Sequence, residues 1–257
     1  MKKKYFISVN YNTSNLIEKW VNNIRKKTTG ECNIIIIDNF FSQSERNKVK
    51  IIADSLSIIL IISDNIGYGA ALNLGIKKSL QIEKENEFIF LIGNLDIEYK
   101  NLSENFIDGK YVYMPQIKEK NRVNRNPFFT ILQKQFLPLC LVIGRLQSIF
   151  LLDLIIGFLK IIGYLPSRTW AIHGSLFCFH SSCIDINKEI FNNNSLLYCE
   201  ELEFASYMQY RDVEIISSEV SINHIGQVST NQVNSSKKKF LKLWWSSFQN
   251  WYYRWKL

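Results

Sequence analysis

At 257 residues with 47% hydrophobic content, the chain can bury a sizeable core and is too apolar for a disordered polypeptide. Its formal charge of +8 favours an anionic partner, but the basic residues fall in separate groups (Lys2 to Lys4, Lys118 to Arg125, and from Lys237 onward). With no Arg-rich helix and no aromatic RNP-like strand, nucleic acid is excluded as the expected partner. Cys32, Cys140, Cys178, Cys183 and Cys199 show no CxxC spacing, which argues against a secreted disulfide framework and for a reducing compartment.

The basic lead at Lys2 to Lys4 precedes an apolar stretch of about five residues, too short for a signal-peptide core, so Lys4 to Val9 reads as a first strand. Further strands at Asn33 to Ile37, Ile58 to Ile62 and Phe88 to Ile92 alternate with helices near Asn15 to Lys27, Ser42 to Ala53 and Ala70 to Leu80. That alternation predicts βαβ units in a mostly parallel sheet. Ser14 or Asn15 can cap the first helix, and Ser42 with Glu45 forms a capping-box pattern for the second.

The third strand leads into Asn65-Ile66-Gly67-Tyr68-Gly69, where glycine allows a tight turn and close approach by a ligand. It is not a dinucleotide fingerprint, because Leu72 takes the place of the third glycine and the turn follows the third strand. Phe88 to Ile92 lacks alternation, as expected of a strand buried on both faces. It delivers Asn94-Leu95-Asp96 to the carboxyl edge of the sheet, where ligands bind in open α/β folds. Later strands are predicted at Tyr111 to Met114 and Ser175 to Phe179. His173, Cys178, His180 and Cys183 fit no common zinc-finger spacing.

Two segments stand apart. Phe128 to Leu165 is an apolar insertion in which Asp153, Gly157, Lys160 and Tyr164 make a narrow polar stripe on a predicted helix. A span needs about 20 apolar residues and a mid-helix Asp is costly, so this segment is expected at a membrane interface or against the domain. Lys237 to Leu257 has no acidic residue, and Phe240, Trp244, Phe248, Trp251 and Trp255 share one helical stripe. A membrane interface suits that pattern, and the alternative is an aromatic face packed on its own domain. The expected organisation is a domain over 1–228, with the insertion at 128–165, followed by a membrane-associating tail over 229–257.

In order along the chain come Val9-Asn10-Tyr11-Asn12, Ile37-Asp38-Asn39 with Ser42, the Asn65 to Gly69 turn with Asn73 and Gly75, Asn94-Leu95-Asp96, His173-Gly174-Ser175, Glu200-Glu201 and His224. Over about residues 5 to 228 this series resembles the family 2 glycosyltransferases of the GT-A fold, in particular the rhamnosyltransferase-like enzymes of bacterial surface-polysaccharide assembly. The resemblance implies an α/β, Rossmann-like fold with a mostly parallel central sheet, here followed by the basic, aromatic C-terminal helix. It also implies hexosyl or deoxyhexosyl transfer from dTDP-rhamnose or a UDP-sugar to a lipid-linked saccharide of O-antigen or capsule assembly, at the cytoplasmic face of the cell membrane.

Residue by residue, the resemblance gives Asp38 the nucleotide base, aided by Tyr11 and Asn12, and places Asn65, Gly67, Asn73 and Asn94 at the donor. Asp96 would hold Mg2+ or Mn2+ on the diphosphate, with His224 at the diphosphate or metal. Glu201, with Glu200 as runner-up, would take the proton of the acceptor hydroxyl. Leu95 departs from the proline common in the family, and Glu201 from its usual Asp. Read without the resemblance, Asp38 and Asn39 are strand-ending turn residues and the two glutamates stabilise a helix N-terminus. The competing function is a non-catalytic scaffold or nucleotide-sugar-binding protein at the membrane, against which intact Asp96 and Glu201 argue.

Overall fold

The computed structural model describes residues 2–84, 87–102, 106–107, 109–119, 124–145, 148–225 and 237–255, without the side chains of 142–144, 149, 152 and 237–239. Strands β1 (Lys3–Asn10), β2 (Cys32–Asn39), β3 (Ile59–Ser63) and β4 (Phe88–Gly93) run parallel in the order β3-β2-β1-β4. Their crossovers are α1 (Ser14–Lys27), α2 (Gln43–Leu56) and α3 (Tyr68–Ile82), as the alternation predicts. The sheet continues from β4 through antiparallel β9 (Leu176–His180) to β6 (Tyr111–Lys118), β10 (Glu214–His224) and β5 (Ile97–Asn101). The result is an eight-stranded, mostly parallel α/β sheet with helices on both faces.

The apolar runs explain this layering. Tyr5, Ile7, Ile35 and Ile37 pack on Ala71, Leu72 and Ile76 of α3, whereas Phe6, Ile34 and Ile36 pack on Ile17, Trp20 and Val21 of α1. A strand covered on both faces has no polar side to show. The caps differ in detail from the expectation. Thr13, not Ser14 or Asn15, precedes α1, and it makes no side-chain cap. Ser42 does accept from the Glu45 N–H at 3.2 Å. The Glu45 carboxylate, however, takes the Ser14 N–H at 2.7 Å instead of closing a capping box, and so ties the starts of α1 and α2 together.

Beside the sheet, α4 (Ile131–Phe136), α5 (Leu139–Arg145) and α6 (Ile149–Gly163) form the insertion, flanked by the two-stranded pair β7 (Phe129–Thr130) and β8 (Thr169–Ala171). They meet α7 (Glu200–Tyr210) and α8 (Lys237–Trp255) around a separate core that includes Leu137, Leu159, Trp170, Leu202, Phe248 and Trp251. The aromatic stripe expected at a membrane is therefore turned inward, with Phe248 and Trp251 0% and 1% exposed. Residues 226–236, 256 and 257 of the predicted tail lie outside the described residues. Among its described side chains, helix α6 buries Ile155, Leu159 and Ile162 and leaves Phe150, Leu154, Phe158 and Ile161 exposed. Among the described residues, no helix is long and apolar enough to cross a membrane.

Candidate active site

The β4–β5 turn carries Asp96, and Leu95 is 6% exposed, anchoring that turn in the core. The antiparallel register of β10 on β5 pairs His224 with Ile97, which sets the imidazole beside the Asp96 carboxylate. His224 Nδ1 is 2.9 Å from Glu119 Oε1, and Glu119 also pairs with Arg125 at 3.2 Å. Nε2 is buried without a hydrogen-bond partner, 3.4 Å from Asp96 Oδ1. Burial alone would lower the His224 pKa, but Asp96 and Glu119 outweigh it and raise the pKa. The neighbouring His173 ring lies 5.8 Å away. Burial, reinforced by Arg125 and His224, lowers the His173 pKa to about 3. His173 and His180 sit at opposite ends of β9, so the four His and Cys residues weighed for zinc do not converge as one group.

Across this edge, α7 begins after two left-handed, non-glycine residues, Tyr198 (φ 77°) and Cys199 (φ 68°). Such conformations cost on the order of 1–3 kcal/mol each and persist where surrounding structure enforces them. Here they launch three glutamates in the first turn of the helix. Glu203 is structural: its Oε2 accepts from Arg254 Nη1 at 3.0 Å and Trp255 Nε1 at 2.7 Å. Glu201 Oε1 instead accepts the Gly174 N–H at 3.2 Å. A Cβ on Gly174 would come within 2.7 Å of that oxygen, so only glycine permits the approach.

Burial and the neighbouring Glu201 push the Glu200 pKa up to about 8. Glu201 is also raised by burial, but backbone N–H groups, Gly174's among them, and Arg125 oppose the rise. Burial therefore favours the protonated form of both carboxyls, and of the two only Glu201 has Arg125 as well as backbone N–H groups favouring its ionised form. The Tyr68 hydroxyl donates to Asn94 Oδ1 at 2.7 Å. Burial raises the Tyr68 pKa, with further push from Glu200, Asp96 and Glu201, which places this phenol among the three acids.

The expected nucleotide-binding residues divide in two. Asp38 is 1% exposed; its Oδ2 accepts from Arg46 Nε at 2.7 Å and its Oδ1 from Asn10 Nδ2 at 3.1 Å. Asn73 is pinned to the 191–193 segment, donating to the Phe191 carbonyl at 2.9 Å and accepting the Phe191 N–H at 3.2 Å. Gly67 has φ +94°, and its close approach is to the Ser195 carbonyl, 2.6 Å from where a Cβ would sit. In these three the contacts are made by the chain itself. Asn65 is exposed and held by Asn39 at 3.3 Å, while Asn12 takes a left-handed φ of 56°. Tyr11 meets Phe41 edge to face at 5.2 Å, and Phe41 is 45% exposed. The sequence reading missed Phe41, Arg46, Glu119 and Arg125. An exposed aromatic directly after a strand end was the available signal for Phe41.

No family model matches the sequence, and no curated protein matches it. Solved structures do resemble the fold. The mannosyltransferase PcManGT from Pyrobaculum calidifontis, solved with GDP-Man and Mn2+, superposes with a TM-score of 0.52 at 12% identity, over 89% of this chain and 58% of that one. S. aureus TarS gives 0.54 at 11% identity, over 98% and 44%. Its 1–349 fragment in complex with UDP-GlcNAc gives 0.53 at 12%, over 99% and 73%. The chain thus spans about half the length of the first two, and at these identities what it shares with all three is the fold.

Proposed function

We propose that the chain is an inverting, metal-dependent glycosyltransferase. It moves a hexosyl or deoxyhexosyl group from a nucleoside-diphosphate sugar to a hydroxyl of a lipid-linked saccharide in bacterial surface-polysaccharide assembly. The observation that supports this most is the close Asp96–His224 pair, together with a Glu201 carboxylate held by the Gly174 N–H next to His173, whose ring neighbours that of His224. Two neighbours in fold were solved with GDP-Man and with UDP-GlcNAc, which supports a nucleotide-sugar donor. The resemblance alone favours rhamnose among the sugars.

Asp96 and His224 fit a divalent cation. An orphaned Nε2 faces a carboxylate oxygen, and the opposite ring nitrogen is fixed by Glu119, the arrangement that orients a ligating histidine. The described residues contain no cluster of three or more metal-ligating side chains, so diphosphate oxygens and water would complete the shell, as hard cations accept. When bound, Mg2+ or Mn2+ neutralises charge gathering on the departing diphosphate. Glu201 removes the proton of the acceptor hydroxyl as its oxygen bonds to the anomeric carbon, while the bond from that carbon to the diphosphate oxygen breaks. The raised pKa of Glu200 disfavours a second negative charge beside Glu201. Tyr11 and Phe41 offer a surface for the base, and Asp38 acts on that edge by holding Arg46 and Asn10.

The test is a thermal-shift panel of UDP-, GDP- and dTDP-sugars with and without Mn2+, because selective donor binding stabilises the fold by mass action. One donor class should raise the melting temperature more with Mn2+, and Asp96→Ala should remove that increment. If no nucleotide-sugar stabilises the protein, the reading fails.

A further inference from the structure

Glu201 also lines a second space. Between the insertion and α8 lies a cavity of ≈ 540 Å³, a size ordinary for a small-molecule site. Its walls include Phe128, Leu137, Cys140, Leu159, Trp244 and Phe248. The polar side chains there are largely engaged elsewhere. Gln133 accepts the Thr130 N–H at 2.7 Å and donates to the Leu159 carbonyl at 2.8 Å. Asn124 accepts the Ile117 and Asn126 N–H groups at 3.2 and 3.1 Å, and Arg125 pairs with Glu119. A free saccharide needs many hydrogen bonds, and leaving its hydroxyls unpaired against such walls is costly. The cavity suits a ligand that is apolar along its length and carries a hydroxyl at the end nearest Glu201.

We propose that this cavity is the acceptor subsite for the apolar chain of an amphiphilic acceptor, seating the chain among Leu159, Trp244 and Phe248 so that its sugar hydroxyl meets Glu201. The role given to Glu201 rests on the glycosyl-transfer reading; the apolar subsite does not. Most of the subsite's apolar wall comes from the two segments that stand apart in sequence, the insertion and α8, closed by the start of α7, which gives both segments a common purpose. Ile156 stands at its rim, 39% exposed, so it can be enlarged without disturbing the buried face of α6.

The experiment is calorimetric titration with octyl glucoside below its critical micelle concentration, with glucose as the control, in parallel with the nucleotide-sugar panel. Octyl glucoside should bind at one site and glucose should not. Ile156→Trp, which fills the rim, should weaken binding by about tenfold or more, whereas Ile51→Trp on distant α2 should not change it. Trp244→Ala, which widens the cavity, should shift preference towards decyl glucoside, a change that a purely structural tryptophan would not produce. No saturable binding, or equal binding by wild type and Ile156→Trp, overturns the subsite. Donor binding without octyl glucoside binding removes the subsite and leaves the transfer reading intact. Octyl glucoside binding without any donor binding keeps an amphiphile site and removes the transfer reading.

Discussion

Glu200 and Glu201 are adjacent in sequence and burial raises the pKa of both, but the rise is opposed at Glu201 by the Gly174 N–H and Arg125, whereas Glu200 is pushed further by Glu201. Such differences of environment are how acid and base roles become separable. Glu201→Gln should lower turnover by about 10² to 10⁴, the range for a positioned general base, while donor affinity holds. Glu200→Gln, which mimics the protonated form, should retain far more activity; the reverse ranking in steady-state assays would exchange the roles.

The same shift fixes a pH dependence. The native Glu200 pKa lies above the ordinary 4.5, near 8, so the folded state holds its proton more tightly than the unfolded chain. That stabilisation is complete below the unfolded value and is lost as pH rises through about 8. Between about pH 6 and about pH 9 the melting temperature of Glu200→Gln should therefore gain on wild type. A constant difference would mean that Glu200 is ionised in both states. At this scale the sequence located strand ends well and partners poorly. It placed Asp38 at the end of β2, but only the fold shows that Arg46, one turn into α2, takes the carboxylate.

Elements were most legible where burial is two-sided. β1, β2 and β4 are near-continuous apolar runs because helices cover both their faces. β10 escaped notice despite burying Ser218, Val220, Ile222 and His224 in alternation, because serines and a histidine do not register as a hydrophobic face. The α8 stripe was visible, but a membrane and a protein core ask for the same pattern. What decides between them is a set of specific contacts. Trp251 Nε1 donates to Ser206 Oγ at 2.9 Å, and Arg254 and Trp255 hold Glu203, all on the helix that begins with Glu200 and Glu201. Helix α8 is thus a brace for α7 and the glutamates of its first turn. Trp251→Ala should cost about 3–5 kcal/mol of stability, the usual range for a buried Trp, measured by urea denaturation. A cost below about 1 kcal/mol would mean that α8 docks too weakly to brace anything.

For the molecule as a whole, turning the α8 stripe inward moves the question of membrane contact to α6. Phe150, Leu154, Phe158 and Ile161 recur at spacings of four, four and three, 71%, 55%, 42% and 69% exposed, on a face next to the buried Ile155, Leu159 and Ile162. A contiguous apolar face of that kind is uncommon on a protein that meets only water. Arg145, Lys160 and Arg168, all exposed, supply positive charge in the same segment, and each basic group near an anionic leaflet contributes on the order of 1 kcal/mol. Deleting residues 237–257 would be an ambiguous test of tethering, since it also removes the brace on α7. The double substitution Leu154→Glu with Ile161→Glu is cleaner, because both side chains are exposed and the fold loses little from changing them. It should sharply reduce co-sedimentation with anionic vesicles while leaving the melting temperature and donor binding near wild type. Undiminished vesicle binding would rule out the α6 face as the contact, and no binding by the unsubstituted protein would remove the membrane reading.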